Sequence, residues 1–311
     1  MKEINICFAS DDGYAMHLGI AIYSLIVNLN KEYFANIFIL DWWISDFNKN
    51  KILESVKDFK NINIKYIEID WDKYNNFNAC NISKETYFRI DIANIFKNID
   101  KIIYIDVDVI VNGDISNIFK FNLNKKVLWA VYEITTRFHY KKLFNIPNKN
   151  WYFNAWVLFI NLEEMRKNDY STDIISYINK NNNKLIACDQ DALNWVLYDK
   201  RIKLPPKFNA LPFIFFSRNY RVLWYSKEEF KEARNNPVII HFAGEKPWNK
   251  YCWHPMKYKY FEYKKQTAFK DINLQVKKQS FLNHLVYNII IFLLANIPEK
   301  IYNLIYIFKK V

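Results

Sequence analysis

The chain has 311 residues, of which 51% are hydrophobic and 24% are charged, and its net charge is +12. This apolar content excludes a disordered chain and is sufficient for one or two globular domains. Only four residues are glycines. They are too few for a Gly-rich phosphate-binding loop of either common type, which excludes P-loop NTPases and Rossmann dinucleotide enzymes.

Short apolar runs alternate with amphipathic segments along the first half of the chain, which is typical of an α/β protein with helices packed on a mostly parallel sheet. Strands are predicted at 4–8, 37–40, 62–69, 102–105, 127–131, 157–160 and 238–240. Helices are predicted at 15–29, 45–59 and 83–96, and Ser226 with Glu229 forms the capping box of a later helix. The run 102–105 is apolar throughout, so we expect that strand to be central in the sheet.

The C-terminal part of the chain differs in kind from the rest. From residue 257 onwards, ten lysines against three acidic residues account for seven of the twelve net positive charges. Apolar residues recur at helical spacing from 282 to 297, but their uninterrupted core is far shorter than the ~20 residues of a spanning helix. We expect a catalytic domain at 1–255 and a basic, amphipathic segment at 256–311 on a membrane surface. Docking on the catalytic domain or on a second subunit is the alternative.

The N-terminus and the cysteines bear on the cellular compartment. Residues 1–10 hold two charged residues and a very short apolar run, so no signal peptide is expected. The four cysteines lie far apart without C-x-x-C spacing, which argues against a disulfide framework and a zinc knuckle. We therefore expect a cytoplasmic protein, peripheral on the inner face of the cell membrane.

The segment 101–113 carries the strongest chemical signal, because an apolar strand is followed by Asp106 and Asp108. Side chains two residues apart in an extended chain project to the same side. Two neighbouring carboxylates repel each other unless a cation lies between them. Oxygen ligands suit Mg²⁺ or Mn²⁺, so the pattern predicts a divalent metal site.

The segment 238–248 repeats this design, with His241, Gly244 and Lys246 after a strand. An imidazole ligand would favour Mn²⁺ over Mg²⁺, and Lys246 would neutralise a phosphate. A purely structural hydrogen bond is the alternative role for His241. Further candidates are Asn154 in an apolar run, Asp189 and Gln190 at a helix start, and Arg89 on a helix face. Asp189 has helix capping as its alternative, and Arg89 has a surface charge.

Six motifs in this order together resemble glycosyltransferase family 8, and within it the bacterial lipopolysaccharide galactosyl- and glucosyltransferases. They lie at 8–14, 87–89, 104–108, 152–155 with 160–162, 189–191 and 241–248, and they span roughly residues 3 to 250. The sequence departs from the family at Trp156, where a small glycine is usual, and at Glu133, where an aspartate is often found. It is also one residue shorter than some relatives between Gly244 and Lys246.

The resemblance implies a GT-A fold, a Rossmann-like mixed and mostly parallel sheet flanked by helices. It also implies retaining transfer of a hexose from UDP-glucose or UDP-galactose to a lipopolysaccharide or other surface glycan. Residue by residue, the implied roles are Mn²⁺ ligation by Asp106, Asp108 and His241; uridine contact by Ala9, Asp11 and Tyr14; donor-sugar contact by Arg89, Asn154 and Asp189; retaining catalysis at Gln190; and pyrophosphate contact by Gly244 and Lys246.

Two other classes of protein compete with this interpretation. In a haloacid-dehalogenase-like phosphatase, Asp106 would be the nucleophile and Asp108 the acid/base, but that family carries its pair on the first strand rather than on about the fourth. A non-catalytic basic module that binds a membrane or nucleic acid would explain the tail and the aromatic content. It would leave the ordered motifs unexplained, so we expect no nucleic-acid partner.

Overall fold

A mixed seven-stranded sheet forms the centre of the molecule. The computed structural model describes residues 1–77, 84–122, 125–133, 151–218, 220–223, 225–244 and 246–274, and seven residues between 285 and 296. The strands of this sheet are β1 (Lys2–Asp11), β2 (Tyr33–Trp42), β3 (Ile62–Glu68), β4 (Lys101–Ile105), β6 (Leu128–Tyr132), β7 (Phe153–Asn161) and β8 (Arg201–Lys203).

The strand order β3-β2-β1-β4-β7-β6-β8 places β4 in the middle of the sheet, which confirms the prediction from its apolar run. The first four strands in this order are parallel, and β7 is antiparallel to both β4 and β6. Two short strands, β5 (Val109–Val111) and β9 (Ile239–His241), form a separate antiparallel pair in which Val109 is opposite His241. This pairing brings the two predicted metal-binding segments side by side.

Helices cover both faces of the sheet, and buried apolar side chains fill the two layers between them. In β1, Ile4, Ile6 and Phe8 belong to one core cluster, while Cys7 and Ala9 belong to the other. This is the two-residue period of a strand buried on both sides. The described α-helices are α1 (Ala15–Asn28), α2 (Asp46–Val56), α3 (Ile92–Ile95), α4 (Leu162–Lys167), α5 (Tyr170–Asn181), α6 (Cys188–Val196), α7 (Pro212–Phe216), α8 (Lys227–Asn235) and α9 (Lys257–Lys264).

Local sequence signals set several helix starts. Ser45 caps α2 by accepting from the backbone N–H of Asn48, and the predicted capping box of Ser226 and Glu229 begins α8. The helix predicted at 83–96 is different in the structure. Its described part is a 3-10 helix at Lys84–Ile90 followed by the short α3. Apolar spacing over two turns does not distinguish a period of 3.0 from one of 3.6, so the sequence pattern alone cannot tell the two helix types apart.

The first part of the predicted C-terminal segment packs against α1. Tyr260 in α9 hydrogen bonds through its hydroxyl to Nδ1 of His17 at 2.7 Å, and Tyr263 accepts from Nδ2 of Asn28 at 2.7 Å. Gly19 allows this close approach, because a Cβ at that position would lie 2.5 Å from the ring of Phe269. Residues 257–274 are therefore joined to the sheet-and-helix unit, while the boundary at 255 stays a prediction.

Most of the remaining C-terminal segment lies outside the described residues, including 275–284 and 297–311. The described residues between 285 and 296 are helical, and the Asn296 side chain accepts from the backbone N–H of Arg218 at 2.8 Å. No helix within the described ranges has the length and apolar character needed to cross a bilayer.

Candidate functional site

The predicted carboxylate pair lies where the central strand ends. The backbone N–H of Asp106 donates to the carbonyl of Trp156 at 2.9 Å, so the chain stays paired with β7 one residue beyond β4. Asp108 then precedes β5, and its carbonyl accepts from the N–H of Phe242 at 3.0 Å. The two side chains are 22% and 10% exposed, respectively. Two strands thus present both carboxylates at the carboxyl end of the parallel part of the sheet, the usual ligand-binding edge of an open α/β sheet.

Asp106 belongs to a buried cluster centred on Arg89, which we call the arginine cluster: Arg89, Thr86, Asp106 and Asp189. The guanidinium of Arg89 is 3.4 Å from Asp106 Oδ1 and 3.0 Å from Asp189 Oδ2. It also donates to the carbonyls of Thr86 at 2.8 Å and Ala155 at 2.5 Å. Thr86 donates to the other oxygen of Asp189 at 2.7 Å. This arginine is therefore paired within the protein and is not a surface charge.

Burial controls the protonation of the arginine cluster. It raises the pKa of Asp189 to about 6, against the lowering effect of Arg89 and Thr86. It also raises the pKa of Asp106, an effect that Asp108 reinforces and Arg89 opposes. Burial alone would lower the pKa of Arg89, but the carboxylates of Asp106 and Asp189 raise it above its ordinary value. The arginine therefore keeps its charge although its side chain is only 2% exposed.

Asp108 belongs to a second cluster, which we call the histidine cluster: Asp108, His241, Lys246, Asn209, Asn154 and Glu133. Oδ1 of Asp108 lies 3.2 Å from Nε2 of His241, and the ammonium of Lys246 contacts its other oxygen. Burial would raise the pKa of Asp108, but Lys246 and His241 lower it well below its ordinary value. Lys246 also donates to the carbonyl of Phe242 at 3.2 Å. Asp108 is thus held ionised beside an imidazole.

A chain of buried amides leads away from His241. Nδ1 of His241 is 2.8 Å from Oδ1 of Asn209, whose Nδ2 donates to Oδ1 of Asn154 at 2.9 Å. Nδ2 of Asn154 donates to Oε2 of Glu133 at 2.9 Å, and Oδ1 of Asn154 also accepts from the N–H of Trp156 at 3.1 Å. His241 and both asparagines are fully buried, so these contacts fix the position of the ring.

The residues of the histidine cluster fit a divalent cation. An imidazole nitrogen and a carboxylate oxygen at 3.2 Å need a proton or a metal ion between them. Among the described side chains, Nε2 of His241 makes no hydrogen bond, although it is fully buried. No set of three or more ligating His, Cys, Asp or Glu side chains is arranged around a common point in the part of the chain that the structure describes. Asp108 and His241 converge as a pair, while Asp106 is ion-paired with Arg89.

Aromatic side chains form one wall beside Lys246. His17 stacks on Trp248 with ring centroids 3.5 Å apart, and Tyr14 packs edge-on against Trp248 at 6.2 Å. The N–H of Tyr14 donates to Oδ1 of Asp11 at 2.8 Å. Gly244 has φ 80°, a conformation that only glycine adopts at low cost. The structure thus brings the first and the last predicted motif together through Tyr14 and Trp248, and Ala9 lies buried in β1.

The start of α6 supplies further predicted site residues. Gln190 accepts from the N–H of Ala155 at 2.9 Å and thereby ties α6 to β7. Asp189 belongs to the arginine cluster, and it does not cap the helix, because the N-cap residue, Ala187, has no side-chain hydrogen bond. Cys188 is disulfide-bonded, which the spacing of the cysteines did not predict, whereas Cys7 and Cys252 are free.

Sequence reasoning missed three residues of these contacts: Thr86, Asn209 and His17. Asn209 lies in a 3-10 helix at Pro206–Asn209, and a single asparagine there carries no motif. Thr86 and His17 act through partners that are 103 and 243 residues away in the sequence. Local patterns cannot reveal such pairs. The only signal available was polarity within otherwise apolar segments.

Comparison with known proteins gives a consistent result. The family model of glycosyl transferase family 8 matches residues 5–252. The general stress protein A of Bacillus subtilis is 32% identical to this chain, over 86% of this chain and 96% of its own length. The lipopolysaccharide glucosyltransferase WaaO of Escherichia coli is 28% identical, over 87% of this chain and 80% of its own length. A crystal structure of the galactosyltransferase LgtC with donor and acceptor sugar analogues superposes with a TM-score of 0.73 at 22% identity, over 90% of this chain and all of that one. The fold is therefore the GT-A fold, and the chain belongs to glycosyltransferase family 8.

Proposed function

We propose that this glycosyltransferase is a divalent-metal-dependent, retaining hexosyltransferase that uses UDP-glucose or UDP-galactose. The observation that carries the proposal is the histidine cluster, in which Asp108 and His241 face each other at 3.2 Å beside Lys246. Oxygen and imidazole ligands together suit Mn²⁺, and Mg²⁺ is the second choice. Asp106, which directly follows β4, would be the third ligand.

A sugar transfer from a nucleotide diphosphate builds negative charge on the departing diphosphate. The metal, when bound, would neutralise part of that charge. Lys246 would supply a second positive charge, because a diphosphate competes with Asp108 for its ammonium group. The left-handed turn at Gly244 lets the backbone approach the phosphates without a Cβ in the way. With the charge balanced in this way, the leaving group needs no strong general acid.

The two remaining parts of the donor would lie on either side of the phosphates. Tyr14 would stack on the uracil, with Ala9 and Asp11 beside the uridine, because β1 ends next to the aromatic wall of His17 and Trp248. On the other side, Arg89, Asn154 and Asp189 would hold the hexose, with Gln190 on the face where the retaining chemistry takes place. Tight hydrogen bonding of these four side chains supports a preorganised pocket.

The acceptor that we propose is a lipopolysaccharide or another surface glycan on a lipid carrier. Support comes from relatives named for lipopolysaccharide glucosyl- and galactosyltransfer in Escherichia coli and Salmonella typhimurium. The phosphatase alternative is weaker, because Asp106 follows β4 and not the first strand of the chain.

We further propose that the end of the chain binds the inner face of the cell membrane. Its described residues include Val286, Ile289, Phe292 and Leu293, each between 43% and 48% exposed. Basic residues with exposed apolar ones suit an anionic lipid surface. Deletion of 277–311 should release the enzyme from vesicles of phosphatidylglycerol and phosphatidylethanolamine while donor hydrolysis continues, because residues 257–274 stay packed on α1. A truncated protein that still pellets with the vesicles would contradict this proposal.

A panel of nucleotide sugars tests the donor and the metal together. Release of UDP is measured for each sugar with the metal-stripped protein, and then after addition of Mn²⁺ or Mg²⁺. We expect turnover with UDP-glucose or UDP-galactose, dependent on the metal and fastest with Mn²⁺, and an α-linked product by NMR. Equal turnover in the presence of a chelator, or turnover only with sugars on other nucleotides, would refute the proposal.

A further inference from the structure

We infer that Asn209 is a positioning residue that holds the proton of His241 on Nδ1 and so presents Nε2 as the metal-binding atom. The carboxylate of Glu133 lies 2.9 Å from the side-chain amide of Asn154 and accepts a hydrogen bond from its nitrogen.

The orientation of Asn154 is fixed a second time at its other end. The backbone N–H of Trp156 donates to this amide at 3.1 Å, so the atom that accepts it must be the oxygen. That oxygen lies 2.9 Å from Asn209, which must therefore present its own nitrogen to it. The two amides are thus oriented by a carboxylate and a backbone N–H.

The orientation of Asn209 sets the tautomer of the His241 imidazole. With its nitrogen turned to Asn154, Asn209 presents its oxygen to His241 at 2.8 Å, and an oxygen there requires the proton on Nδ1. Nε2, the other ring nitrogen, points at the carboxylate of Asp108 at 3.2 Å and is the atom left to bind a metal ion. Second-shell groups set the tautomer of a metal-binding histidine in this way. The hydrogen bonds that link Glu133, Asn154 and Asn209 therefore leave Nε2 of His241 as the nitrogen that would bind the cation.

This inference rests on the proposed metal function, and its test separates the two. Nitrogen-15 NMR of histidine-labelled, metal-free protein reports which ring nitrogen carries the proton, and His241→Gln assigns the signal. We expect Nδ1 of His241 to be protonated in the unaltered protein. A signal that shows the proton on Nε2 alone would overturn the inference, whatever the metal does.

Substitution supplies the second readout, which is Mn²⁺ affinity from the electron paramagnetic resonance of free Mn²⁺. Asn209→Leu should weaken Mn²⁺ binding about 10- to 100-fold and mix the tautomers of His241. Asn161→Ala is the matched control, because it removes a buried asparagine that caps α4 and should leave both readouts unchanged. Unchanged affinity and tautomer in folded Asn209→Leu would overturn the inference. If the unaltered protein has the expected tautomer but binds no Mn²⁺, the proposed metal function fails and the role of Asn209 in setting the tautomer stands.

Discussion

The arginine cluster and the histidine cluster balance their charges in different ways. Arg89 lies between Asp106 and Asp189, so each buried charge of the arginine cluster has an opposite charge within 3.4 Å. In the histidine cluster, Asp108 faces the ammonium of Lys246 and, at 3.2 Å, Nε2 of His241, and the contact with Nε2 needs a proton or a cation to be favourable. The arginine cluster balances its charges internally, while the contact between Asp108 and His241 depends on a proton or a cation.

Asp106 and Asp108 therefore have different surroundings, although they belong to one motif. Asp106 belongs to the arginine cluster, whereas Asp108 is the carboxylate closest to the imidazole of His241. Breaking the arginine cluster should therefore cost stability, because it leaves charges buried and unpaired. Changing the histidine cluster should mainly lower turnover and the proposed metal binding.

Asp108→Asn should lower sugar transfer about 100- to 1,000-fold, because it removes the charge at the centre of the histidine cluster. The fold should persist, since the amide keeps an oxygen for the ammonium of Lys246. Turnover and thermal unfolding are measured together. Asp100→Asn is the control, because that side chain is 72% exposed on the same loop-and-strand segment and should leave transfer unchanged. Transfer by Asp108→Asn at the unaltered rate would reject the metal role.

Arg89→Met should lower the free energy of unfolding by about 3–5 kcal/mol, because the carboxylates of Asp106 and Asp189 lose their shared cation. Unfolding in urea gives the value. For comparison, Lys167→Met changes an exposed lysine 4.0 Å from Glu164 and should stay within about 0.5 kcal/mol of the unaltered protein. A loss no larger for Arg89→Met than for Lys167→Met would show that the arginine cluster is not a structural unit.

Gly19→Ala should destabilise the protein by about 1–3 kcal/mol, because the added methyl group would meet the buried ring of Phe269 at 2.5 Å. This contact holds the segment after α9 against α1, and Tyr260 within α9 hydrogen bonds to His17 at 2.7 Å. Gly13→Ala is matched to it, since its new Cβ would have only ordinary contacts at 3.5 Å. Equal stability of the two variants would show that residues 257–274 do not pack on α1 as described.

Lowering the pH should destabilise the folded protein through two buried histidines, His17 and His254. Burial lowers the pKa of His254 and that of His17 to about 3. Each of these side chains is therefore protonated near pH 6.5 in the unfolded chain, but stays neutral at that pH in the folded protein. Stability is then lost as the pH falls from the unfolded pKa towards the folded one. Each histidine should cost about 0.7 kcal/mol between pH 7 and pH 6. Urea unfolding at both values should show a smaller pH slope for His254→Phe, and an unchanged slope would contradict the assignment.

Sequence patterns were sufficient where a single segment carries the signal. The central position of β4 followed from its apolar run, and the carboxylates and His241 were found because each follows an apolar strand. The 3-10 helix at Lys84–Ile90 was not predicted, because apolar spacing over two turns fits a period of 3.0 as well as one of 3.6. Asn209 was missed because its partners lie 32 and 55 residues away in the sequence. The GT-A fold and the family came from the order of six motifs rather than from any one of them.

The central claim is that Asp106, Asp108 and His241 share a divalent cation that binds the diphosphate of an activated sugar. Anomalous diffraction at the manganese absorption edge, from crystals grown with Mn²⁺ and UDP, tests it directly. The account predicts one strong peak between Asp108 and His241 that contacts the UDP phosphates, with Lys246 moved from Asp108 to a phosphate oxygen. UDP bound without such a peak, or a peak away from these side chains, would contradict it.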